Sequence, residues 1–289
     1  MDLTHIDPLV TTDWLAEHLT NPSIAVIDMR GYVTTKQVGP GVEEATYRGA
    51  KSEYVASHIP GAVYIDWTQD IIDLDDPVSV QLAPPERFAR VMEERGIGDE
   101  THVVAVDHMG GQFATRLWWA LKAYGHDRIS VLDGGWNRWI EEGHDVTDQP
   151  TAVPPARFTA RVRPEWRITA EGLRDRLDAL DLQLIDARDP GQFTAARRRG
   201  PRGGRIPGAI NLPRELFFAE AGGFRPLEEI RQIITDRGLK PDQPTITYCN
   251  GGVAATVALF HLNRLGFASL TNYDGSWNEW GARSDLPIE

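Results

Sequence analysis

Position 249 holds the only cysteine among 289 residues, and its setting governs what that thiol can do. Cys249 follows Thr245-Ile246-Thr247-Tyr248, a short apolar and β-branched run that reads as a strand. It precedes Asn250-Gly251-Gly252, after which Val253-Ala254-Ala255-Thr256-Val257-Ala258-Leu259-Phe260 reads as the opening of a helix. A group between a strand end and a helix start meets unpaired backbone amides and the positive end of the helix dipole. Together they favour an anion by about 0.3–1 kcal/mol at an exposed site and up to about 2 kcal/mol at a partly buried one. The thiolate is the nucleophilic form of cysteine, so this placement activates it. Two successive glycines carry no Cβ to hold the amides off a bound group. The loop therefore reads as a cradle for a charged sulfur. The competing reading is an inert buried thiol, because free cysteine packs as a small hydrophobe. A single cysteine excludes an intramolecular disulfide and a multi-cysteine metal cage.

The elements that must position this thiol come in two matched sets. Asp133-Gly134-Gly135-Trp136-Asn137-Arg138-Trp139 is echoed by Asp274-Gly275-Ser276-Trp277-Asn278-Glu279-Trp280. His58-Ile59-Pro60-Gly61-Ala62-Val63 is echoed by Arg205-Ile206-Pro207-Gly208-Ala209-Ile210, and Ala25-Val26-Ile27-Asp28-Met29-Arg30 by Gln183-Leu184-Ile185-Asp186-Ala187-Arg188. Three blocks in one order imply one fold used twice. Strands are expected at 26–28, 103–106, 129–132, 184–186 and 245–248, with helices over 86–95, 115–124, 170–180 and 254–265. Thr12 and Thr169 stand where N-caps of the first helix of each half belong. Such alternation gives an α/β fold: two tandem domains, each an open parallel sheet with helices on both faces and ligands at the carboxyl ends of the strands. Pro150, Pro154 and Pro155 mark a linker. The expected division is residues 1–148, a linker over 149–165, and 166–289. The repeated tryptophans, with Trp118 and Trp119, read as core and interface.

The run Tyr248 to Ala255, the paired Asp-Gly-x-Trp-x-x-Trp blocks and the Ile-Pro-Gly-Ala blocks resemble the tandem-domain rhodanese sulfurtransferases, which comprise thiosulfate and 3-mercaptopyruvate sulfurtransferases. The resemblance runs from about residue 5 to 285. It implies that Cys249 takes a sulfane sulfur from a donor as a persulfide and yields it to cyanide or a thiol. It also implies that Asn250, Gly251, Gly252, Val253, Ala254 and Ala255 cradle that sulfur. In the first half Asp107 stands at the cysteine position, and a carboxylate cannot carry sulfane sulfur, so that domain is expected to be catalytically silent and to buttress the second. Arg188 matches the family's arginine for the sulfonate or carboxylate of the donor, against an ion-pair reading. Arg197, Arg198, Arg199, Arg202 and Arg205 form a basic cluster that either steers an anionic donor or is a solvated loop. Asp66 matches the aspartate of the proton relay in the mercaptopyruvate branch. Gly251 stands in place of that branch's serine, Val80 in place of its histidine, and the basic residues that follow the cysteine in thiosulfate enzymes are absent. The donor stays open between the two.

The rest of the chain narrows the field by exclusion. The net charge of -12 opposes binding to a phosphate backbone, so no nucleic-acid partner is expected. No apolar run approaches the roughly 18 residues of a membrane span, and MDLTHIDPLV lacks the pattern of a secretory leader, so the expectation is a cytoplasmic chain. Scattered histidines, no G-x-G-x-x-G after a strand and no Walker loop leave no visible seat for a metal or a nucleotide, and no cofactor is expected. A cysteine phosphatase would need an arginine six places after the nucleophile, where Ala255 stands. A binding module that lost its chemistry is the other alternative. The expected partners are a small anionic sulfur donor and a thiol or cyanide acceptor, in a monomer or weak homodimer.

Overall fold

Five short β-branched segments of the first half pair side by side, all parallel, in the order Leu9–Val10, Ile129–Leu132, His102–Val106, Ile24–Asp28 and Val63–Tyr64. The second half repeats the arrangement with Arg167–Ile168, Leu270–Tyr273, Thr245–Tyr248, Gln183–Asp186 and Ile210–Asn211. These elements belong to a computed structural model that describes residues 6–220 and 222–289; the first five residues of the leader reading lie outside it. His102–Val106 and Thr245–Tyr248 are buried along their whole length, as central parallel strands covered on both faces must be. The expected two-fold α/β architecture is what the chain adopts. The cores of the two halves are continuous: Trp118 meets Phe260 edge-on at 5.2 Å between ring centroids, and Thr115 Oγ1 and Thr256 Oγ1 share a hydrogen bond of 2.9 Å. Both bridges join the helices Gln112–Ala123 and Ala255–Arg264.

Several expectations shift by physical causes that are local. The N-cap is Thr11, not Thr12: Thr11 is extended and accepts from the Trp14 amide, while Thr12 is buried in the first turn. The helix expected at 115–124 starts at Gln112, because the Asp107 carboxylate receives the amides of Phe113 and Ala114 and caps it early. The helix expected at 170–180, capped by Thr169, closes at Arg174, and the chain continues in tighter i→i+3 turns through Ala179. An antiparallel hairpin, Gly31–Gly39 with Val42–Gly49, stands outside the expected alternation. Its second strand pairs with Arg198–Arg199 of the other half, which lays the hairpin across the two domains. The proline-rich stretch packs on the first half, with Phe158 buried and Arg161 and Arg163 amides donating to the carbonyls of Tyr124 and Ala123.

Candidate active site

Cys249 leaves the carboxyl end of the central strand Thr245–Tyr248 and sits 4% exposed against Ala187, Ala254 and Ala255. The repeated tryptophan block clamps it from behind. Ser276 Oγ accepts the Cys249 amide at 3.1 Å, the Trp277 amide donates to the Cys249 carbonyl at 3.0 Å, and the Asn278 amide donates to the Asn250 carbonyl at 2.8 Å. To do so Ser276 takes a left-handed φ of 52°, where the first copy has Gly135 at 55°. The motif thus recurs because it holds the loop after the central strand of each domain.

The loop of the first copy shows what such a loop can hold. Asp107 Oδ1 accepts the amides of Met109 and Gly111, each at 2.8 Å, and Oδ2 accepts those of Phe113 at 2.7 Å and Ala114 at 2.9 Å. Four backbone donors converge on one anion. In the second copy the amides at the matching positions are those of Gly251, Val253, Ala255 and Thr256, and that of Thr256 donates to the Val253 carbonyl at 3.1 Å. Among the described residues no acceptor takes those of Gly251, Val253 and Ala255. A sulfur stands where the first copy has a carboxylate, and three of the four matching donors are left without an acceptor among the described residues.

The pocket over Cys249 is walled by the hairpin through Val33, Thr35 and Tyr47, by Met109 and Gln112 of the Asp107 loop, and by Arg199 and Arg214. Of the expected cradle, Asn250, Gly251, Val253 and Ala254 line the pocket, whereas Gly252, at φ 69°, turns toward Asp274. A Cβ on Gly251 would lie 2.6 Å from Val80 Cγ2, so a side chain at 251 and the valine at 80 exclude each other. Val80 itself holds a left-handed φ of 61°, a conformation that costs a β-branched residue on the order of 1–3 kcal/mol. Asn250 Nδ2 donates to Gln192 Oε1 and Gln192 Nε2 to Glu43 Oε2, both at 2.9 Å. Burial pushes the Glu43 carboxyl up, but the hydrogen bonds of Gln192 and Arg197 and the charges of Arg197 and Arg199 outweigh it and hold it below its ordinary value.

The arginines expected at the donor are otherwise employed. Arg188 forms part of the wall, yet its guanidinium is spent on Asp186 at 2.6 Å and the Gly204 carbonyl at 2.8 Å, and lies over Trp277 at 4.3 Å. Arg30 repeats the arrangement in the first domain with Asp28, the Ser57 carbonyl and Trp136, where Asp107 stands at the position of the cysteine. The pair is a brace at the strand end. Tyr248 donates to Asp186 at 2.7 Å, and burial, then the Asp186 charge, pushes its phenol far above the ordinary value, so it stays a neutral donor. Arg197 pairs with Glu43 and Asp189. Arg205 pairs with Glu289 and stacks on Phe193, and Arg202 is taken up by carbonyls of residues 280–286. None of these three lines the pocket. Nor does Asp66, whose Oδ1 accepts the amide and hydroxyl of Thr68 in a local turn. Of the cluster only Arg199 reaches the pocket; Arg214 joins it, in the position that Trp67 holds in the first copy. The repeat carries that signal, since both follow their Ile-Pro-Gly-Ala block by the same interval.

Comparison with known proteins agrees with this geometry. The family model described as a rhodanese-like domain matches twice, over residues 11–142 and 169–283. The chain belongs to the rhodanese family. The 3-mercaptopyruvate sulfurtransferase of Escherichia coli K12 is 35% identical over 283 residues, 97% of each chain. The thiosulfate sulfurtransferase of Rattus norvegicus is 33% identical, over 96% of this chain and 92% of that one. The crystal structure of SseA from Escherichia coli, a 3-mercaptopyruvate enzyme with the rhodanese fold, superposes with a TM-score of 0.80 at 33% identity, covering 94% of this chain and 99% of that one. This member of the rhodanese family is a sulfurtransferase. No helix among the described residues is long and apolar enough to cross a membrane.

Proposed function

We propose that residues 166–289 carry the chemistry and residues 1–148 support it, with Cys249 moving a sulfane sulfur from a small anionic donor to a thiophilic acceptor. The observation that carries this reading is the four-amide grip on Asp107, whose matching loop in the second half holds a thiol and three amides without an acceptor among the described residues. The Cys249 thiolate attacks the donor's terminal sulfur, and the bond behind that sulfur breaks with its electron pair on the leaving group. Cyanide or a thiolate then attacks the outer sulfur of the persulfide and returns Cys249 as a thiolate, in a ping-pong sequence. Arg199 and Arg214, at the pocket wall, supply the charge that binds the donor. A reduced nucleophile of this kind suits a reducing compartment such as the cytoplasm.

Two donors fit, and one observation favours thiosulfate. Sulfite leaves thiosulfate as an anion that needs no proton, whereas the enolate of pyruvate left by 3-mercaptopyruvate must gain one. Val80 and Gly251 offer none, Asp66 lies off the pocket, and the carboxylates in the wall, Asp189 and Glu215, are paired with Arg197 and Arg214. The expected result is a higher kcat/KM for thiosulfate than for 3-mercaptopyruvate. A higher value for 3-mercaptopyruvate would assign the other donor, and turnover of neither would refute the proposed reaction.

A further inference from the structure

The silent domain touches the cysteine loop with one buried charge. Arg116 leaves the helix Gln112–Ala123 with its side chain 1% exposed and its guanidinium 4.4 Å over the Trp119 ring. Nη1 donates to Asp274 Oδ1 at 2.5 Å and to the Gly252 carbonyl at 3.2 Å, and Nη2 donates to the Val80 carbonyl at 2.8 Å. Asn272 Nδ2 is a second donor to the Gly252 carbonyl, at 3.0 Å. The contact runs one way. In the second copy the place matching Arg116, at the same interval past Cys249 as Arg116 is past Asp107, belongs to Ala258, which has no side chain with which to return it.

A trans peptide points its C=O and its N–H in opposite directions, and no peptide bond among the described residues is cis. Two donors fix the Gly252 carbonyl, so the N–H of the same peptide, that of Val253, is turned the other way. In the silent loop the matching amide, that of Gly111, donates to Asp107 Oδ1 at 2.8 Å. A cation on the carbonyl also polarises the amide at the other end of the peptide, as linked hydrogen bonds do in a low-dielectric interior. We propose that Arg116 is a positioning residue for the nucleophile: through the Gly252–Val253 peptide it aims and strengthens the Val253 amide on the sulfur of Cys249. The silent domain thereby tunes the thiol as well as covering it. This rests on Cys249 being the nucleophile of the proposed reaction.

The test is the rate of alkylation of the full chain by iodoacetamide, a neutral probe, measured across pH. Arg116→Met is expected to slow alkylation near neutral pH about tenfold and to move the profile to higher pH, and Arg116→Lys, which keeps the charge, to recover most of the rate. Removing the arginine alone leaves the buried Asp274 carboxylate with Arg167 as its one cationic partner and the Leu82 amide, so the pair Arg116→Met/Asp274→Asn is measured beside it and should show the same shift. Methionine variants that lose thermal stability but alkylate as the parent does at every pH would overturn the proposal. Should neither fold, Asn272→Ala, which removes the other donor to Gly252 and spares the ion pair, must give a smaller shift of the same sign. Its failure to do so would also overturn it. A parent thiol that itself reacts slowly would fault the nucleophile, whereas a fast thiol indifferent to these changes faults Arg116 alone.

Discussion

At the scale of single residues, the loop after the central strand of the first half is an anion grip made of backbone, and the proposed reaction uses the matching loop around Cys249. Cys249→Ser should abolish turnover with the fold intact. Asp107→Ala should leave sulfur transfer per folded molecule nearly unchanged but lower stability by several kcal/mol, because it orphans buried amides that cost about 1–3 kcal/mol each. Urea unfolding beside a turnover assay separates the two effects. Gly251→Ala should reduce kcat/KM at least about tenfold, since its Cβ meets Val80 Cγ2 at 2.6 Å. Adding Val80→Ala should restore most of the loss, and strict additivity in the double-mutant cycle would contradict that contact. Cys249 and its loop were legible in the sequence because strand end, glycines and helix start are contiguous. The surroundings of Arg197 and Arg205 were not, because whether a charge faces a ligand depends on partners far along the chain, as Glu43 is for Arg197 and Glu289 for Arg205.

At the scale of elements, strands were legible wherever they are buried on both faces, since that demands short apolar β-branched runs such as His102–Val106. The hairpin Gly31–Gly49 was not, because only one side of it meets protein and its exposed positions carry Lys36, Gln37 and Glu44. Gly39-Pro40-Gly41 between two alternating stretches was the available turn signal. The hairpin supplies Val33, Thr35 and Tyr47 to the pocket, and Glu43 to the chain of hydrogen bonds that ends on Asn250. Replacing residues 32–48 with a two-residue turn between the paired Gly31 and Gly49 should therefore raise KM for the donor about tenfold or more, with the circular dichroism of the two sheets retained. An unchanged KM would show that the hairpin is no part of the donor site.

At the scale of the whole molecule, the duplicated fold and its parallel sheets were legible because the repeat is written in the sequence three times over. The one-way reach of Arg116 was not, since it belongs to the packing of one copy on the other. Stability should follow the buried histidines. Burial lowers His102 to about 4 and also lowers His126 and His261. These rings stay neutral in the folded chain while the unfolded chain binds protons below about 6.5. Their contribution is whole above that pH and is lost as pH falls through 6.5 toward 4, a change on the order of 3 kcal/mol for His102 alone. Melting temperature against pH should show the fall, and His102→Gln should flatten it; a melting temperature independent of pH over that window would contradict the burial. The central claim is most directly tested by the intact mass of the chain after brief exposure to thiosulfate or 3-mercaptopyruvate and removal of the donor. The account predicts a gain of one sulfur atom, on Cys249, reversed by cyanide; a mass unchanged by either donor would contradict it.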